Sequence, residues 1–266
     1  LTEAAESIVR AEGLAQRYGE RTIFRDVSFV VRRGEVFVIL GGSGCGKSTL
    51  MRQLICLLPP SEGRIEIGGE TVTGADAGAA RSRVRRRIGV MFQSGALFGS
   101  MTLLENVMLP LEVYTDLPPE GREAVARVKL GLVGLAEAAA LMPAEISGGM
   151  AKRAAIARAL ALDPPLLFLD EPSAGLDPVT SAGLDALILE LRRDLGATFV
   201  VVTHELASIQ AIADRCIMLD RGRFPDAGGL IAEGDPRKLR TESADPVVRA
   251  FFGRQAMPAR VLDGAS

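Results

Sequence analysis

The order of apolar runs along the chain predicts an α/β fold with a helical insertion in its middle. Three observations support this. Short apolar runs of strand length recur over residues 8–14, 26–31, 35–40, 63–67 and 88–92. Between about residues 95 and 160 they stop, and helical stretches over 103–111, 119–132 and 149–161 replace them. Strands then resume at 166–169, 198–202 and 215–219.

The third strand, Val36-Phe37-Val38-Ile39-Leu40, has no polar face and so reads as a parallel strand buried on both sides. Gly41-Gly42-Ser43-Gly44-Cys45-Gly46-Lys47-Ser48-Thr49 follows it, a complete G-x-x-x-x-G-K-[ST] phosphate loop, and residues 48–58 read as the helix that loop opens. Further on, Asp177 is an N-cap candidate with Pro178 at the first helical position. Leu184, Leu187, Leu191 and Leu195 recur at helical spacing to make one apolar face, and Gly196 is the stop. The basic run Arg81, Arg83, Arg85, Arg86 and Arg87 reads as a solvated helix face. The tail after Gly253 carries the least pattern.

Composition bounds the function. A chain of 266 residues, 48% hydrophobic, suffices for one large domain or a core with an inserted subdomain. The net charge of −2 argues against a nucleic-acid partner. Cys45, Cys56 and Cys216 are scattered and odd in number, which fits a reducing compartment and no disulfide or zinc framework. The first residues are acidic and lack the basic and apolar parts of a signal peptide. The longest charge-free run, 88–104, is broken by glycine, glutamine, serine and threonine, so no segment reads as a membrane span.

The phosphate loop implies ATP or GTP. Its glycines, Gly41, Gly44 and Gly46, let backbone N–H groups turn inward around phosphates. Lys47 supplies a point charge at the β- and γ-phosphates, and Ser48 a hydroxyl for magnesium. Leu166-Leu167-Phe168-Leu169-Asp170-Glu171 is an apolar strand ending in two acids, the second shell of such a site: Asp170 for the metal, Glu171 to polarise attacking water. His204, the single histidine, ends the strand Phe199-Val200-Val201-Val202-Thr203 and is expected at the γ-phosphate; Gln93 ends the strand at 88–92 in the same way. Ile146-Ser147-Gly148-Gly149-Met150 opens a helix whose N-terminus favours an anion.

Taken in this order, these motifs resemble the ATPase subunits of ABC transporters over nearly the whole chain. The resemblance implies a P-loop NTPase (RecA-like) core with an antiparallel β edge, formed by residues 1–94 and 161–240, a helical signature subdomain at 95–160 and a C-terminal extension at 241–266. It implies ATP and Mg2+ as ligands, with Tyr18 stacking on adenine and Ser48, Gln93 and Asp170 around the metal. Gln93 would be the Q-loop residue, Glu171 the catalytic base and His204 the switch histidine. Ser147, Gly148 and Gly149 would be the signature contact to ATP on a second subunit, and Ser173 and Asp177 would mark the D-loop. The signature departs from Leu-Ser-Gly-Gly-Gln by an initial Ile and a final Met. Ser-Gly-Gly-Met, the run Phe92-Gln93-Ser94-Gly95-Ala96-Leu97-Phe98 and the run Asp245 through Phe252 are similar to the ATPases of Mla- and Mce-type lipid transport systems. That narrower resemblance implies a homodimer at the cytoplasmic face of the inner membrane. Its partners would be a permease, an Mce-domain lipid-binding protein and, in some systems, a STAS-domain protein. Leu97 and Phe98 lie in a glycine-bounded bend, and Phe98 is expected at the permease surface. An importer of amino acids or ions would share every one of these ATP motifs. A cassette in repair or translation is the other class, which the single cassette and acidic balance disfavour.

Overall fold

The computed structural model describes residues 7–224 and 227–253. Ten strands form one sheet in the order β5-β4-β1-β2-β10-β9-β3-β8-β7-β6. They are β1 (Ser7–Tyr18), β2 (Arg21–Arg32), β3 (Val36–Gly41), β4 (Glu62–Ile67), β5 (Glu70–Thr71), β6 (Ile88–Met91), β7 (Leu166–Asp170), β8 (Thr198–Val202), β9 (Arg215–Phe224) and β10 (Ala227–Gly234). Strands β5, β4, β1 and β2 pair antiparallel and make one edge region. Strands β9, β3, β8, β7 and β6 pair parallel. The helices are α1 (Lys47–Leu54), α2 (Gly78–Arg85), α3 (Leu103–Tyr114), α4 (Pro119–Leu132), α5 (Gly148–Ala159), α6 (Pro178–Leu195), α7 (Leu206–Ile212), α8 (Pro236–Glu242) and α9 (Pro246–Gly253).

The parallel strands are apolar on both faces because both faces are covered. Along β3, Val36, Val38 and Leu40 enter one core while Phe37 and Ile39 enter the other. Strand β7 splits the same way, with Leu167 and Leu169 opposite Leu166 and Phe168. The first core is roofed by α3 to α7 and α9; the second lies under α1 and the antiparallel edge. Helices α3, α4 and α5 fall in the stretch between β6 and β7. Helix α3 starts in a capping box, Thr102 Oγ1 accepting from Glu105 N at 3.2 Å and Glu105 Oε2 accepting from Thr102 N at 2.7 Å.

Local expectations were met at several ends and corrected at others. Asp177 caps α6, Pro178 begins it and Gly196 ends it with φ +64°. Leu184, Leu187 and Leu191 are buried, but Leu195 is 40% exposed because the helix has passed the edge of the core there. Helix α1 stops at Leu54 rather than at 58, since Cys56 takes φ +60° and the amides of Leu57 and Leu58 bond back to Arg52. The basic run lies along and just after α2 with Arg83, Arg85, Arg86 and Arg87 exposed, Arg81 half-buried and Val84 alone buried among residues 81–87. Within the predicted C-terminal extension, α9 buries Val248 and Phe252 in the first core. The unpatterned tail after Gly253 and the acidic start at 1–6 lie outside the described residues.

Candidate functional site

Parallel register brings four strand ends to one edge. Ile39 of β3 and Asp170 of β7 both sit opposite Val202 of β8, and Met91 of β6 sits opposite Leu169 of β7. The loops that follow, holding residues 41–49, 171–177, 203–204 and 92–93, therefore emerge side by side. Ligands of open α/β sheets bind at this carboxyl edge.

The glycine loop is shaped by its glycines in two distinct ways. Gly41 has φ +146°, and a Cβ there would lie 2.2 Å from the Leu219 carbonyl oxygen, so β9 leaves room for nothing larger. A Cβ on Gly46 (φ +104°) would lie 2.7 Å from the Phe24 ring. Gly42, Ser43 and Gly44 stand clear of the core, whereas the Cys45 side chain is buried and burial pushes its thiol up. Cys45 therefore offers the site its backbone. No side chain caps α1. The amides of Lys47, Ser48 and Thr49 have no intrahelical acceptor, which is a ready seat for phosphate oxygens. The Lys47 ammonium donates to the Gly41 and Gly42 carbonyls at 2.8 and 3.1 Å, holding it folded over the loop.

Across the edge, Glu171 departs from the strand with φ +46° while its amide donates to the Val202 carbonyl at 2.8 Å. That backbone turn aims its carboxylate at His204, whose Nδ1 lies 2.7 Å from Oε1. The other oxygen, Oε2, is buried without a partner. A buried acceptor left open is costly and is the place where a donor such as water belongs. The His204 ring is 61% exposed, so it reaches from Glu171 into the open edge. Burial, then the neighbouring Glu171 charge, raises Asp170 above the usual carboxylate range; Arg52, Lys47 and Lys152 oppose this. A cation at Asp170 would relieve that strain. The Asp170 carboxylate and the exposed Ser48 hydroxyl are oxygen donors of the kind magnesium takes, and the described residues hold no cluster of three metal-ligating groups. Such a site suits magnesium, which keeps few protein ligands and shares substrate phosphates and water.

The remaining expected residues are spread around this edge. Gln93 is exposed just past β6. Tyr18 is half-exposed at the tip of the β1–β2 hairpin, where it pairs with Arg21. Ser147 caps α5 by accepting from Met150 N at 3.2 Å. A Cβ on Gly149 would lie 2.5 Å from Thr180 Cγ2, so α5 begins tight against α6. No hydrogen bond joins residues 147–149 to residues 41–49 among the described residues. Ser173 is buried, its Oγ 3.4 Å from Ser208 Oγ, and Asp177 is committed to capping α6.

Three side chains shape the loop after β6, two of them from the helix that the signature run opens. Asn106, fully buried, accepts from Phe98 N at 2.8 Å and donates to the Phe98, Met101 and Thr102 carbonyls. Arg158 donates to the Ala96 and Gly95 carbonyls at 2.7 and 2.8 Å. Lys152 donates to the Gln93 carbonyl and, at 3.4 Å, to the Glu171 carbonyl. Leu97 leans on the first core, while Phe98 stays 49% exposed beneath the Arg158 guanidinium.

A family model described as ABC transporter matches residues 24–174. The chain is 40% identical over 255 residues to the intermembrane phospholipid transport system ATP-binding protein MlaF of Escherichia coli K12, covering 95% of this chain and 91% of that one. It is also 40% identical over 262 residues to the methionine import ATP-binding protein MetN of Cupriavidus necator H16, covering 96% and 74%. Among solved structures, the dimeric ATP-binding cassette MJ0796 bound to ADP and Pi matches with a TM-score of 0.75 and 32% identity over 85% of this chain and 98% of that one. With its phosphate loop, paired acids and histidine on one sheet edge, the chain belongs to the ATP-hydrolysing subunits of the ABC transporter family.

Proposed function

We propose that two copies of this chain bind two ATP molecules head to tail and that their hydrolysis drives transport of a lipid, a phospholipid first, through a membrane permease. The observation that carries the catalytic part is the 2.7 Å contact of His204 with Glu171, beside the open Oε2, at the same edge as the phosphate loop. Gly41 to Thr49 cradle the phosphates through backbone amides, and Lys47 leaves the loop carbonyls for the β- and γ-phosphates. Tyr18 lies under the adenine. Magnesium, held by Ser48, Asp170 and Gln93, would neutralise charge developing on the phosphate oxygens. Glu171 accepts a proton from the attacking water at its free oxygen. His204 keeps that carboxylate oriented and reaches the γ-phosphate with its other nitrogen. Ser147, Gly148 and Gly149 complete the site on the opposite copy, with Ser173 and Asp177 in the loop between.

The lipid reading rests on the Ser-Gly-Gly-Met helix start and on the 40% identity to a phospholipid-transport subunit across almost all of the chain. It implies an Mce-domain lipid-binding protein and, in some systems, a STAS-domain protein, with attachment at the cytoplasmic face of the inner membrane through the permease. No described helix is long and apolar enough to cross a membrane. Phe98 and its pinned loop supply the docking face. Equal identity to a methionine-import subunit supports the second reading, an amino-acid importer. Purifying the tagged chain from its native membranes decides between them. A permease accompanied by an Mce-domain protein and bound phospholipid is the expected result. A permease with a periplasmic solute-binding protein establishes the importer, and ribosomes or DNA overturn both.

A further inference from the structure

Lys152 is a lysine where a core residue would be expected. It sits one turn before Ile156 and two before Leu160, both buried, and is itself only 8% exposed. A buried ammonium is unfavourable unless its charge and its donors are answered. Here both are. Its Nζ donates to the Gln93 carbonyl at the end of β6 and to the Glu171 carbonyl at the end of β7. The facing charges are the Asp170 and Glu171 carboxylates.

We propose that Lys152 is a positioning residue for hydrolysis: by gripping the Gln93 and Glu171 carbonyls from helix α5, it transmits the position of the signature helix to the general base. The inference rests on reading Glu171 as that base. Helix α5 begins at Ser147, so one rigid element carries both the expected ATP contact of the opposite copy and this clamp. Gln93 and Glu171 lie in separate loops that follow neighbouring strands, and the Lys152 side chain bridges their backbones. Glu171 needs such a hold because φ +46° is unfavourable for a residue with a Cβ. Release of the clamp lets the carboxylate drift, and misplacement by about 1 Å can cost ~10²-fold in rate. Lys152 makes no hydrogen bond to the glycine loop or to Lys47 among the described residues, so its loss should act on turnover before nucleotide affinity.

The test is Lys152→Met, which keeps an unbranched side chain one atom shorter and removes donors and charge, beside Lys152→Arg and Glu171→Gln. We expect Lys152→Met to lower kcat about 10- to 100-fold while the Kd for a fluorescent ATP analogue stays within about twofold. Lys152→Arg, which keeps the charge and two or more donors, should recover most of kcat. An unchanged kcat in Lys152→Met overturns the proposal, as does a kcat and an affinity that fall together, or an Arg variant as slow as the Met variant. If Lys152→Met does not fold, Lys152→Leu, which also lacks donors and charge, is judged by the same criteria. Glu171→Gln separates the two claims. Turnover surviving there refutes the base, whereas loss there with unchanged turnover in Lys152→Met refutes the clamp alone.

Discussion

Replacing Glu171 by glutamine isolates the chemistry of the general base. The amide oxygen can still accept from the His204 ring N–H, so the 2.7 Å contact and the ring position are retained. The second oxygen has no partner in the fold, so changing it to NH2 breaks no existing bond. The two side chains have the same shape, and the φ of +46° is imposed by the backbone contact to Val202, which the variant keeps. What is lost is proton acceptance from water, a contribution of about 10²- to 10⁴-fold, or ~3–5 kcal/mol of barrier. Nucleotide binding rests on the glycine loop, on a different strand, and should persist. Steady-state phosphate release measures the first effect and titration with a fluorescent ATP analogue the second. Turnover within about threefold of wild type would falsify the assignment of the base.

Three more substitutions probe other layers of the structure. Phe98→Asp should leave the melting temperature and ATP binding of the isolated chain in place, because the ring is half-exposed, and abolish retention of the permease in a pull-down; unaltered assembly would remove Phe98 from the docking surface. Gly89→Ala puts a Cβ 2.3 Å from the Ala159 carbonyl, where β6 passes the end of α5. Overpacking against backbone costs about 1–3 kcal/mol, so calorimetry should show Tm lower by ~2–12 °C, and an unchanged Tm would mean that α5 is free to shift. Burial first, and Glu205 after it, raise the Asp185 carboxyl against a hydrogen bond with Ser208, and its Oδ1 has no partner. A raised folded-state value means that its contribution is intact below the ordinary carboxylate range and lost as pH rises through the shifted one. Asp185→Asn should therefore raise Tm near neutral pH and not in acid; equal effects at both would show that the charge is not the cost.

Much of the scaffold is legible in the sequence because parallel strands buried on both faces have nowhere to hide a polar residue. The runs at Val36 and Phe199 announce themselves for that reason, as does the one at Leu166. The catalytic edge is legible too, since glycine loop, paired acids and histidine each follow such a run. Strand β10 is not. It begins Ala227-Gly228-Gly229, which reads as a loop, yet a Cβ on Gly228 would lie 2.8 Å from the Ile23 carbonyl, so the strand is small because β2 and β9 close on it. Residues 241–266 read as a C-terminal extension, and nothing local says that Val248 and Phe252 of α9 pack into the first core. Lys152 carries a sequence signal of its own, a lysine in register with Ile156 and Leu160 on the buried stripe of a helix. The contact between His204 and Glu171 required the fold, because only strand order makes their two loops neighbours.

Light scattering on the Glu171→Gln variant with ATP and magnesium tests the shared site most directly. Each chain holds both a phosphate loop and a Ser147 helix start, and in the proposed sharing of these seats between copies a slow-hydrolysing variant should trap two copies around the nucleotide. With ATP the mass should be near twice the 28.2 kDa of one chain, reverting to one chain when Lys47→Ala is added. A variant that binds ATP yet stays at the mass of a single chain would contradict it.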